Sequence, residues 1–195
     1  MPDILTYHQE VLRKIVHISS SGIAILLWYF GKDVLLPWIL ATAILFPILD
    51  CSRKYIPLLK ELYFKLFGII TRPYEHQVLS GASWVFMGAG FTAYLFNEKV
   101  AVIALLVMSL SDSAAALIGI KYGTTRLFNK SLEGTLAFFI STYLIIFLLS
   151  SASLMLLLIT SITATAIELF STPKYNDNIL ISVATAFILT LGGVH

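Results

Sequence analysis

Apolar residues gather along the chain in seven runs, at about 15–31, 34–50, 78–96, 99–120, 134–150, 153–170 and 178–194. Each is close to the ~20 residues that carry a helix across ~30 Å of hydrocarbon. The pattern predicts seven membrane-spanning helices in one domain covering residues 1–195, with no internal repeat or low-complexity linker. Between the second and third runs the pattern changes. There, IPLLKELYFKLFGIITRPYE mixes Leu, Phe and Ile with Lys60, Glu61, Lys65 and Arg72. Such a mixture predicts an amphipathic helix lying at the membrane interface, over about 55–72.

Composition supports the same class. The chain is 58% hydrophobic and 12% charged, with a mean hydropathy of +0.88, whereas a soluble domain carries about 25% charged residues. The expectation is an all-α, polytopic integral membrane helix bundle. Cys51, the single cysteine, excludes an intrachain disulfide and a cysteine-based zinc site. With a cytoplasmic N-terminus, 11 of the 13 Lys and Arg residues fall on the cytoplasmic side, and only Lys32 and Lys99 face away. That split predicts N-in, C-out. Arg13 and Lys14 precede the first run without a small-residue cleavage site close behind, so a retained first helix is expected rather than a signal peptide.

Charged residues inside spans are costly and usually face a bundle interior or a wet cavity. Here they collect toward one side. Glu10, Lys14, His17 and Ser21 form a single helical stripe, with Arg13 four residues before His17. Ser109, Asp112, Ala116, Gly119 and Gly123 form a second stripe of small and polar residues. Asp112 lies about ten residues, or roughly 15 Å, from Tyr122, which requires either a cavity reaching it or a broken helix. Alone, it fits structural glue, an ion path or a metal–phosphate site. Lys121, Arg126 and Lys130 follow in a basic loop, and Ser131 is a good N-cap, with Glu133 in the first helical turn. A lysine beside a capped helix start suits phosphate, although the spacing is not that of a Walker A loop. Ser161, Thr165 and Glu168 form a further stripe, and Asp177 opens the last helix, where it could also be a cap. The carboxylates Asp112, Glu133, Glu168 and Asp177 on one membrane side suit Mg²⁺, which keeps waters and bridges to phosphates. Arg13, Lys14, Arg72 and Lys130 nearby would hold those phosphates.

Four motifs then carry a resemblance. EVLRKIVHISSSG, Glu10 to Gly22, is followed by RPYEHQVLSGAS, Arg72 to Ser83, with Glu75 ahead of the Gly81 turn. SDSAAALIGIKYG and NKSLEG come next, and Glu168 with Asn176, Asp177 and Asn178 closes the set. In this order they resemble the CTP-dependent lipid kinases, the family of dolichol, phytol, farnesol and yeast-type diacylglycerol kinases. Two departures stand out. Ile120 follows Gly119 where the family often has Arg, with Lys121 one place on, and Asn176 replaces the first acid of the closing pair.

The resemblance implies transfer of a nucleotide γ-phosphoryl, CTP favoured over ATP, to a lipid alcohol at the cytoplasmic face, with Mg²⁺ as cofactor. It implies catalytic roles for Asp112, Lys130 and Glu133, with Asp112 either a metal ligand or the acceptor of the hydroxyl proton. Arg13, Lys14, His17, Arg72, Gly119, Lys121, Gly123, Lys130, Ser131 and Asn178 are the implied nucleotide and phosphate contacts. Asp112, Glu133, Glu168 and Asp177 are the implied metal set, with Glu10, Glu75 and Gly81 in support. Partners are then a nucleoside triphosphate, a lipid alcohol and membrane lipids, with no nucleic acid; oligomeric state is left open. The rival enzyme is phosphatidate cytidylyltransferase, whose K-R-x-x-x-x-K-D and H-G-G runs are missing here. An ion-coupled transporter is the other alternative, with Asp112, Glu168 and His17 as relays.

Overall fold

The computed structural model describes residues 6–76, 78–171 and 177–195. Ten α-helices and one short hairpin occur among them: α1 Tyr7–Ser19, α2 Ser21–Phe30, α3 Lys32–Ser52, α4 Pro57–Phe67, α5 Gly81–Leu95, α6 Glu98–Leu106, α7 Asp112–Tyr122, β1 Arg126–Leu127, β2 Lys130–Ser131, α8 Leu132–Leu149, α9 Leu154–Phe170 and α10 Asp177–Leu191. The class is all-α apart from the hairpin. Four helical stretches are long and apolar enough to cross a membrane: Tyr7–Phe30, Lys32–Ser52, Glu98–Tyr122 and Leu132–Leu149. Helices α9 and α10 are apolar but shorter.

Among the described residues, side-chain caps set four of the helix starts. Thr6 and Gln9 form a reciprocal capping box that starts α1. The first helix therefore begins eight residues before the apolar run at 15, and the Glu10–His17 stripe is helical. Asn97, Ser131 and Ser153 cap α6, α8 and α9 by accepting backbone N–H groups. The expected interfacial helix is the shorter α4, with Pro57 in its first turn and no buried residue. Leu58, Leu62 and Leu66, four residues apart, are exposed along its outer side.

The fourth run resolves the question of depth at Asp112. Between α6 and α7 the chain makes a π turn at Val107–Ser111, and the 25-residue stretch Glu98–Tyr122 stays helical throughout. A π turn loosens the regular ladder without breaking the rod. This rod is the centre of the bundle: Val100–Leu105, Val107 and Met108 are buried. Helix α2 packs on α6, α1 and α8 pack on α7, and α10 packs on α6 and the π turn. Around it, α3 joins α5, α5 joins α10, α10 joins α9, and α9 joins α8. Large apolar side chains such as Trp28, Trp38, Leu148 and Met155 point outward, the inverse of a soluble protein and the arrangement a lipid solvent favours.

Candidate functional site

The start of α1, the end of α3, α4, the start of α5, the end of α7, the start of α8, the end of α9 and the start of α10 share one end of the bundle. There they enclose a cavity of about 950 Å³. Its lining includes Glu10, Arg13, Lys14, His17, Arg72, Glu75, Gly81, Asp112, Gly119, Gly123, Lys130, Ser131, Glu168, Asp177 and Asn178. Residues distant in sequence and expected to act together are thus brought to one chamber. The cavity itself reaches Asp112.

Two lysines line the chamber, one from α1 and one from β2. Lys14 is buried and donates to Asp112 Oδ2. His17 Nε2 lies 3.2 Å from the same oxygen and 3.2 Å from the carbonyl of Met108, in the π turn. Two acceptors on one ring nitrogen require that nitrogen to carry a proton. Asp112 therefore links α1 to α7, with the π turn presenting the second acceptor. From β2, Lys130 donates to Glu168 Oε1, while Glu168 Oε2 is buried without a hydrogen-bond partner. Asp177 lies nearby, accepting from the Ser171 hydroxyl at 3.2 Å.

A third group stands at the entrance. Glu10 accepts from Arg13 Nε at 2.5 Å and also from Arg72 Nη2. Burial works against the Arg72 charge, but the Glu10 carboxylate and its hydrogen bond outweigh this and hold the guanidinium pKa above its ordinary value. Arg72 is charged at every working pH.

Close approach of backbones shapes the remaining wall. A Cβ on Gly119 would meet Ser131 Oγ at 2.8 Å, and one on Gly134 would meet the Ala115 carbonyl at 2.7 Å. Only glycine lets α7 and the start of α8 lie this close, with the capping Ser131 wedged between them. The Ser131 hydroxyl is occupied with the Gly134 N–H at 3.2 Å.

Two expected residues do not line the cavity. Lys121 is exposed, its Nζ 5.0 Å from the Tyr122 ring centroid. Glu133 turns to the loop before β1, where its Oε1 accepts from Thr124 N at 3.0 Å, Thr124 Oγ1 at 2.6 Å and Thr125 N at 3.1 Å. Asn176 lies outside the described residues. Sequence reasoning missed Asp50 and Arg53, a buried pair at the end of α3. Their i, i+3 spacing beside an apolar run was the available signal.

Among the described residues, no three His, Cys, Asp or Glu side chains gather as a closed metal site. The donor set still fits Mg²⁺, which commonly takes one or two carboxylates and completes its shell with water and phosphate oxygens. Glu168 offers an unpartnered buried oxygen, and Asp112 and Asp177 share its cavity.

Fold and cavity together define an integral membrane helix bundle with a charged chamber at one end. No protein-family model matches the chain, and no solved structure does. Among characterised sequences, the CTP-dependent diacylglycerol kinase 1 of Saccharomyces cerevisiae is 40% identical over 143 residues, 70% of this chain and 49% of that protein. An uncharacterized protein of Rickettsia prowazekii is 32% identical over 195 residues, 93% of this chain and 94% of its own length. A phytol kinase of Synechocystis is 28% identical over 144 residues, 70% of this chain and 57% of that protein. The chain belongs to the family of the CTP-dependent lipid kinases. It spans about half the length of the curated diacylglycerol kinase it matches.

Proposed function

We propose that the protein is a CTP-dependent lipid-alcohol kinase whose chamber opens to the cytoplasm, with seven spans and a cytoplasmic N-terminus. The observation that carries this reading is the meeting of Arg13, Lys14, Arg72 and Lys130 with Asp112, Glu168 and Asp177 in a cavity that continues into Val16, Ile23, Phe46 and Phe86. Basic groups suit a triphosphate, carboxylates suit its metal, and the apolar continuation suits a lipid tail. An ion path would need neither the basic cluster nor the tail lining.

In the reaction, the lipid hydroxyl oxygen bonds to the γ-phosphorus, the bond to the β,γ-bridging oxygen breaks, and the nucleoside diphosphate leaves. Such transfer depends mainly on positioning and charge neutralisation. Lys130 exchanges Glu168 for a phosphate oxygen, and Arg13 and Arg72 hold further oxygens at the entrance. Lys14 and His17 fix Asp112, which either takes the hydroxyl proton or joins Glu168 and Asp177 in holding Mg²⁺. Bound there, the ion would neutralise charge on the phosphates. Gly119, Gly123, Ser131 and Asn178 shape the floor on which the nucleotide rests.

The test is purified protein in detergent with γ-labelled CTP or ATP, offered diacylglycerol, polyprenol, phytol and farnesol. Labelled lipid and released CDP are expected, with CTP ahead of ATP. Released pyrophosphate would instead indicate cytidylyl transfer, and no labelled lipid in any combination would overturn the kinase reading.

A further inference from the structure

Beside the chamber, and outside the chemistry above, Asp50 and Arg53 are only 4% and 3% exposed. Arg53 Nε lies 2.5 Å from Asp50 Oδ1. A buried ion pair is a weak source of stability, because desolvation offsets most of the attraction. Its hydrogen bonds therefore say more about its role. Arg53 Nη2 donates to the Glu75 carbonyl at 2.7 Å and to the Val78 carbonyl at 3.2 Å. Asp50 Oδ2 accepts from Ser80 N and from Ser83 Oγ, both at 2.6 Å. The guanidinium also stacks on Tyr63 of α4, 3.9 Å from the ring centroid, where burial pushes the tyrosine hydroxyl pKa upward and keeps it neutral.

Every one of these backbone contacts falls on the segment joining α4 to α5, whose regular structure among the described residues is two short 3₁₀ turns, Gly68–Ile70 and Pro73–His76. Glu75 continues the chain of constraint. Its carboxylate accepts from the Arg72 N–H at 2.9 Å and the Gly81 N–H at 3.1 Å. Arg72 then reaches across the entrance to Glu10, which also holds Arg13. A segment with so little hydrogen bonding of its own takes its shape from whatever satisfies its polar groups.

We propose that Asp50 and Arg53 are positioning residues that set the Arg72 guanidinium at the chamber entrance, acting through the backbone groups of Glu75, Val78 and Ser80. The kinase reading supplies the reason Arg72 matters, so this inference rests on it. The pair touches no substrate; it fixes where a phosphate-binding arginine stands. Misplacing a binding group by a fraction of its hydrogen-bond length weakens nucleotide binding more than it slows a bound nucleotide.

Two conservative variants test this. Asp50→Asn keeps an acceptor for Ser80 but removes the charge facing Arg53. Arg53→Lys keeps the charge but loses the planar guanidinium that faces Asp50 through Nε while donating to the Glu75 and Val78 carbonyls through Nη2. In the full-length protein, each is expected to raise the KM for CTP about tenfold with kcat within about twofold. In an Arg72→Met background, Arg53→Lys should add nothing to KM. Independently of turnover, phenylglyoxal modification of Arg72, followed by peptide mass spectrometry, should be several-fold faster in both variants. Unchanged KM and unchanged Arg72 labelling, with kcat and thermal midpoint falling together, would overturn the proposal and leave a structural pair. Faster Arg72 labelling in a protein whose wild type phosphorylates no lipid would uphold the positioning role while overturning the kinase reading.

Discussion

The two ends of the bundle are made from the same apolar helices yet treat their polar groups in opposite ways. At the end away from the cavity, Lys32 donates its backbone N–H to Glu98 at 2.6 Å and its ammonium to the Phe96 carbonyl at 2.6 Å. Asn97 caps α6 and donates to the Val194 carbonyl at 3.2 Å. These groups terminate helices and tie neighbouring ends together. At the cavity end, Lys14–Asp112, Lys130–Glu168 and Arg72–Glu10 span between elements and enclose open volume. Charge at the far end closes the bundle, whereas charge at the near end holds a chamber open. Substitutions at the two ends should accordingly separate activity from stability.

The largest effect is expected at Asp112. Asp112→Asn should lower lipid phosphorylation by roughly 10²–10³-fold in a monodisperse preparation; wild-type activity in that variant would remove Asp112 from the mechanism. Lys130→Met should follow, costing about 10²-fold in kcat/KM for the nucleotide. If the loss instead appears only as a lowered thermal midpoint, Lys130 belongs with the structural charges. Glu133 tests the boundary between the two kinds. Its contacts with Thr124 and Thr125 suit Gln as well as Glu, so Glu133→Gln should keep activity within about threefold while Glu133→Ala loses about tenfold by releasing the loop ahead of the hairpin. Equal damage from both, with a raised Mg²⁺ requirement, would restore Glu133 to the metal set. Smallest in activity is Asn97→Ala at the far end. It should cost about 1 kcal/mol of stability and leave turnover per folded molecule unchanged, as read by thermal unfolding beside the kinase assay.

The same contrast separates what the sequence makes legible from what it hides. Helix starts at Ser131 and the amphipathic character of α4 were legible because capping and hydrophobic periodicity act over a few residues. Asp112 stood out because ionisable groups inside apolar runs are rare and costly, Lys14 because it shares a helical stripe with Glu10 and His17, and Lys130 because it stands beside a capped helix start. Glu133 looked the same in sequence as Glu168, both being acids near helix ends. Only the fold turned Glu168 into the chamber and Glu133 onto the Thr124–Thr125 backbone. The π turn was equally hidden, since a change from four- to five-residue spacing leaves little trace in residue types, and its Met108 carbonyl serves His17, 91 positions away.

By itself, the sequence determined the class, the helical runs, the amphipathic segment and the set of ionisable groups that could do chemistry. Those follow from transfer free energies and short-range hydrogen bonding, which act residue by residue. Tertiary structure decided which charges meet. Lys14 pairs with Asp112 across 98 positions and Lys130 with Glu168 across 38, because helix packing, set by glycine contacts such as Gly119 with Ser131, brings those walls together. Arg53 likewise became a holder of the Arg72 segment only when α3 and α5 were packed side by side. Partner choice among buried charges depends on distance in space, and that distance is a property of the whole bundle.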